Sequence, residues 1–168
     1  MTHGTARTIV RDRIAALVPS SGYAASSFAL GDVTAWVEAP YPLVPELAPV
    51  PGMLAPLAFF VDNRTIIAKE SRRGFDPLFV RAPATIRFLY PMRSAGPEID
   101  DWDRATLALE ALIDHLLDPT WSESAGDGGL IVTWDAGQSA TIQPIHLGEG
   151  ADWLLVSLSI MLQYERTT

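Results

Sequence analysis

The closing stretch of the chain, Trp153-Leu154-Leu155-Val156-Ser157-Leu158-Ser159-Ile160-Met161-Leu162-Gln163-Tyr164-Glu165, alternates along its whole length. Leu154, Val156, Leu158, Ile160, Leu162 and Tyr164 fall on one side, and every residue there is apolar or aromatic. Successive side chains of a strand point to opposite faces, so the run predicts a strand with one wholly buried face. Ordinary strands run about 5–6 residues; this one is about twice as long and at ~3.3 Å per residue reaches ~40 Å. Such a strand is either the spine of a sheet or an arm that pairs with another chain. Its odd-numbered side changes character, from Trp153 and Leu155 through Ser157 and Ser159 to Gln163 and Glu165. That gradient predicts that one end is covered, by the proline-rich segment 40-56 or by a neighbouring copy, while the other meets solvent.

A spine of this length needs a core to cover it. Of the 168 residues, 48% are hydrophobic, enough for one packed domain and too many for a disordered chain. The chain is expected to form a single domain over 1-168. It holds no apolar run of 18 residues, so no membrane partner is expected. The segment Met1 to Arg13 has no apolar block ahead of a cleavage site, so no secretory signal is expected. Cysteine is absent, which removes disulfides and thiolate metal sites. The formal charge of -8 argues against general nucleic-acid binding, which needs a basic surface.

Helical spacing of Ile9, Val10, Arg13, Ile14, Leu17 and Val18 predicts a helix from Arg7 to Val18, with Thr5 placed to cap it and Pro19 to stop it. Val33 to Glu38 alternates like a short strand. Between Pro40 and Pro56 stand six prolines, which lack the ladder donor a central strand needs, so residues 40-56 read as a stiff surface loop. Leu57 to Val61 and Thr65 to Ala68 read as a hairpin turning at Asp62-Asn63. The segment 64-77 is then a basic loop excursion. Leu78 to Tyr90 reads as a strand in which Pro83 marks a bulge or an edge. Asp100 is placed as the N-cap of a helix whose stripe is Trp102, Ala105, Leu109, Leu112, Ile113, Leu116 and Leu117, closed by Pro119. Leu130 to Trp134 and Ala140 to Ile145 read as a second hairpin. Short turns between consecutive strands imply a mostly antiparallel sheet. The expected fold is α+β with two layers: this sheet covered by two amphipathic helices, with long surface loops.

Nothing in the chain spells a catalytic or metal site. His3, His115 and His146 share no ligand spacing; His3 is expected in a frayed tail. Asp100, Asp101 and Asp103 are explained by the helix start they would stabilise. No phosphate loop or nucleophile elbow occurs. No catalytic residue, metal or cofactor is therefore expected. One rival reading is a small ligand-binding or enzymatic domain whose pocket is lined by Trp36, Trp121, Trp134 and Trp153. The one concentration of positive charge is Arg64, Lys69, Arg72, Arg73 and Arg81, suited to an acidic neighbouring subunit or to nucleic acid threading past.

The order of elements resembles a family. An arginine-rich N-terminal helix (Thr8-Ile9-Val10-Arg11-Asp12-Arg13-Ile14-Ala15-Ala16-Leu17) precedes strands, then comes a helix of the form Ala105-Thr106-Leu107-Ala108-Leu109-Glu110-Ala111-Leu112-Ile113-Asp114-His115-Leu116-Leu117, and the chain closes on the alternating strand. This layout resembles the tail terminator proteins of long-tailed bacteriophages and phage-derived particles. The resemblance implies a homo-hexamer ring that caps the finished tail tube and meets the head-side connector. It implies a structural protein of the virion neck, assembled in the host cytoplasm, with the tail tube protein and head-tail connector proteins as partners and DNA passing through the lumen. A head-completion or connector protein and a tail-tube subunit are the near alternatives. On this reading the interface residues are Arg64, Lys69, Arg72, Arg73, Arg81, Trp153, Leu155 and Met161.

Overall fold

The computed structural model describes residues 1–17, 35–40, 42–43, 55–63, 68–70, 78–92, 101–123, 129–134, 137–146 and 152–166. The fold is α+β, with a mostly antiparallel sheet. Its spine is β7 (Asp152–Arg166) paired along its full length with β4 (Leu78–Pro91). The alternation of the closing stretch sets this pairing. Leu154, Val156, Leu158, Ile160, Leu162 and Tyr164 are all buried, and opposite them lie Tyr90, Phe88, Ile86, Ala84, Ala82 and Val80, buried as well.

Each flank of this two-stranded spine carries two shorter strands set end to end. On the β4 side, β2 (Ala58–Asp62) pairs with Thr85–Phe88 and β3 (Ala68–Glu70) with Phe79–Arg81. On the β7 side, β5 (Ile131–Thr133) pairs with Met161–Gln163 and β6 (Ala140–His146) with Asp152–Leu158. The second expected hairpin is thereby corrected: 131–133 and 140–146 both pair with β7. In the first, Ala68 pairs with Arg81 of β4, and 65–67 lie outside the described residues. The physical reason is the length of β4 and β7: each has ladder donors and acceptors to spare for two short partners. Ser159 N–H donates to Ser139 O at 2.9 Å where the chain enters β6.

The exception to antiparallel pairing is β1 (Val37–Glu38), which lies parallel to β2 at the sheet's edge. Leu57 adopts a left-handed φ of 58° at this junction. There its N–H donates to Leu89 O at 2.9 Å, and its C=O accepts from Val37 N–H at 3.3 Å. Leu57 thereby bonds to both β1 and β4 at the start of β2, and its side chain is fully buried. Pro83 sits opposite Met161 in the centre of the sheet, at a level that neither β2 nor β3 reaches among the described residues. It therefore marks a local edge, as a residue without a ladder donor requires.

Both helices cover one face. α1 (His3–Ala16) begins four residues earlier than its spacing predicts; Thr2, not Thr5, is the N-cap, and its side chain accepts from Thr5 N–H at 3.1 Å. His3 is therefore not frayed. Its Nδ1 bonds to the Tyr164 hydroxyl at 2.9 Å, its Nε2 to the Asn63 carbonyl, and Asn63 Nδ2 donates back to His3 O at 3.3 Å. α2 (Asp101–Leu117) buries Ala105, Ala108, Leu109, Ala111, Leu112 and Leu116, while Leu117, expected in the stripe, is exposed. Ala6, Val10 and Ile14 of α1 join these and the inner face of β4 and β7 in one core. The short α3 (Thr120–Glu123) follows α2. Asp100 and residues 33–34, 41, 44–54, 64–67 and 71–77 lie outside the described residues.

Candidate interaction surface

The opposite face of the sheet has no helix among the described residues, and it is graded along its length. At one end a second cluster forms from Leu89, Leu155, Trp153 and Phe60, roofed by Ala39 and Leu43 and flanked by Ile145. The covering expected over that end of β7 is thus supplied by the chain itself, from the start of the proline-rich segment. This corrects the placing of Trp153 and Leu155 at an interface. They are 9% and 1% exposed, respectively, and in the folded chain they offer almost no surface.

Beyond this cluster the outer face turns polar. Arg87 lies between Phe60 on β2 and Ser157 on β7, and Ser157 in turn faces Thr141 on β6. The next row runs from Asp62 through Thr85 to Ser159. Alternation on β4 places these residues here, because Ile86, Phe88 and Tyr90 occupy the core side. Arg87 is half-buried; its NH1 nitrogen is buried without a hydrogen-bond partner, and it joins none of the ion pairs among the described residues. A guanidinium in that position lacks the counter-charge that burial normally demands. The sequence carried a signal for it: an arginine on the outer side of a long alternating strand.

Further along, Met161 is half-buried between Pro83 and Thr133, and Arg81 is exposed opposite Gln163. These two residues lie on the outer face beyond the part that Ala39 and Leu43 cover among the described residues. Lys69 stands in β3 opposite Val80, and Arg64, Arg72 and Arg73 lie outside the described residues. Exposed apolar side chains occur at both margins of the sheet: Val37 (51% exposed) on β1, and Ile131 (47%) and Trp134 (42%) on and just beyond β5. Sequence reasoning had not singled out Val37 or Ile131, because edge position is a property of strand order and not of local pattern.

The groups with acid–base capacity serve the scaffold. Besides the bonds of His3, His115 Nε2 bonds to Arg13 O at 2.9 Å, and Trp121 stacks edge-on against its ring. Glu38 ties β1 to α1 through Arg7 at 3.3 Å and Arg11 at 3.6 Å. Among the described residues no group of three or more His, Asp or Glu side chains stands close enough to hold a metal ion, and no helix is long and apolar enough to cross a membrane. The four tryptophans of the rival pocket are dispersed. Trp36 packs edge-on against Phe59 and Phe88 in the main core, Trp121 against His115, Trp153 in the outer cluster, and Trp134 is exposed. Among the described residues the outer face carries two arginines, a row of hydroxyls and apolar margins. No protein-family model matches the chain, and no curated protein sequence matches it either.

Proposed function

We propose that this chain is a ring-forming structural protein of a phage-like particle, a tail terminator whose homo-hexamer caps the tail tube and presents a surface to the head-side connector. Its role is assembly, with no bond chemistry, and its place is the neck of the virion, reached after assembly in the host cytoplasm. The observation that carries this reading is the unlikeness of the molecule's two faces. Among the described residues helices cover one face of the sheet, while the other is covered by Ala39 and Leu43 at one end and is polar beyond it, with apolar residues at both margins. Two different faces on one molecule suit a heterologous contact, in which one patch meets another on the next copy; such contacts close into rings when the rotation permits.

The test is mass measurement on the purified chain, followed by addition to growing tail tubes. The expected result is a closed oligomer of six times 18.2 kDa that stops tube growth. Extension of the tubes would make the chain a tube subunit instead. A particle of single-chain mass at all concentrations, absent from the tail–neck junction, would overturn the reading.

A further inference from the structure

We infer that Arg81 and Arg87, on the outer face of the sheet, receive the acidic side of α2 from a neighbouring copy of this chain. The inference rests on the self-assembly reading above and names the charges that would direct it. Arg81 is exposed and Arg87 half-buried, and neither joins an ion pair among the described residues. The Ser157 hydroxyl beside Arg87 and that of Thr141 beyond it add donors for an incoming carboxylate. Among the described residues three acids fall on this face by register, Glu70 opposite Phe79, Asp62 in the row next to Arg87 and Glu165 at the far end of β7, and Asp62 is already engaged by another contact.

The complementary charges stand on the opposite side of the molecule. α2 buries its alanine and leucine side against the sheet's inner face and turns Asp103, Glu110 and Asp114 to solvent, Asp114 being also engaged by another contact. These three fall along one side of the helix, and from Asp103 to Asp114 the stripe is about 17 Å long at 1.5 Å rise per residue. Arg81 and Arg87 are about 20 Å apart at 3.4 Å per residue. Cations on one face and acids of comparable span on the other make a head-to-tail contact, the kind a ring requires. Charge complementarity of this sort fixes register and suppresses wrong partners.

Charge reversal tests it by sedimentation equilibrium at ~0.1 M salt, where screening reaches about 10 Å. Arg81→Glu with Arg87→Glu is expected to weaken self-association about tenfold or more. Asp103→Arg with Glu110→Arg should do the same, and thermal melting of this pair separates loss of the contact from the small cost of a cation in the first turn of α2. Combining all four substitutions is expected to restore association to within about threefold of the original, because each contact is reversed on both sides. If the original chain assembles and the α2 pair assembles equally well, the inference is overturned while the assembly reading stands. If the original chain stays single at every concentration, the assembly reading falls and takes this inference with it.

Discussion

At the scale of single residues, Arg13 shows how a charge can be kept inside a core. It is 2% exposed, and its NH2 donates to Leu130 O at 3.2 Å and lies 3.5 Å from Trp121 O, with the guanidinium 5.3 Å from the centre of the Trp121 ring. One side chain of α1 thereby holds the turn after α2 and the entry to β5. Helical spacing placed Arg13 on the inward side of α1 but carried no sign of its acceptors, which come from residues more than a hundred positions away. Arg13→Leu would leave the carbonyl of the fully buried Leu130 without its charged donor, at a cost of about 1.5–3 kcal/mol. We expect the melting temperature in calorimetry to fall by roughly 5–10 °C; an unchanged value would mean that the pocket rehydrates freely. Asp118 gives a prediction in pH. The Thr120 hydroxyl, at 2.7 Å, and then the Thr120 N–H, at 2.9 Å, donate to its carboxylate and hold its pKa below the ordinary aspartate value of ~3.9. The folded value is the lower one, so the stabilisation is present above ~3.9 and is lost as pH falls through the folded pKa. An NMR titration of the Asp118 carboxyl carbon should give a midpoint below that of an unstructured aspartate. Thr120→Val, which removes the larger contribution, should move it back up.

At the scale of elements, the spine was legible in the sequence and its flanks were not. Alternation over β7 is a local property: which residues face the core follows from period two alone, and all six even-numbered residues from Leu154 to Tyr164 are buried. Partner choice is not local. The short runs at 131–133 and 140–146 look like a hairpin because they are close in sequence, yet each gains more by pairing with the long β7. The same competition sends 68–70 to β4 instead of β2. The roof over Trp153 and Leu155 was half legible: the gradient on the odd side of β7 called for a cover, and Ala39 and Leu43 provide it. The decisive element test is Leu158→Asp. Leu158 is fully buried, with Ile86 on one side and Ala140 on the other, in the middle of the spine. A carboxylate there has no partner and must either stay charged at a cost of many kcal/mol or bind a proton. The expected outcome is no cooperative unfolding transition by circular dichroism. A soluble variant with native melting would mean that the helices cover the other face of the sheet.

At the scale of the whole molecule, the margins of the sheet decide whether copies meet through more than charge. Each copy carries a formal -8, so like charges oppose association unless specific contacts overcome them. A single exposed apolar residue needs no explanation. Ile131 and Trp134 differ because they lie on and just beyond β5, the last strand of the sheet among the described residues, and sheet edges are where a neighbouring chain can add. Val37 marks the opposite edge, as the second half of a heterologous contact would require. Substituting Ile131→Lys and Trp134→Ser removes the apolar surface of one edge without touching the buried core. Surface changes of this kind leave stability within about 0.5 kcal/mol, so denaturant unfolding of the single chain should be nearly unchanged. Association should be lost, and sedimentation should report 18.2 kDa where the original chain reports a multiple of it. Because this contact is apolar, 1 M salt should not dissolve it, whereas contacts through Arg81 and Arg87 should weaken as the screening length falls to about 3 Å. A variant that still forms the full ring at ~0.1 M salt and loses it at 1 M would place the contact on the faces of the sheet alone and make its edges bystanders.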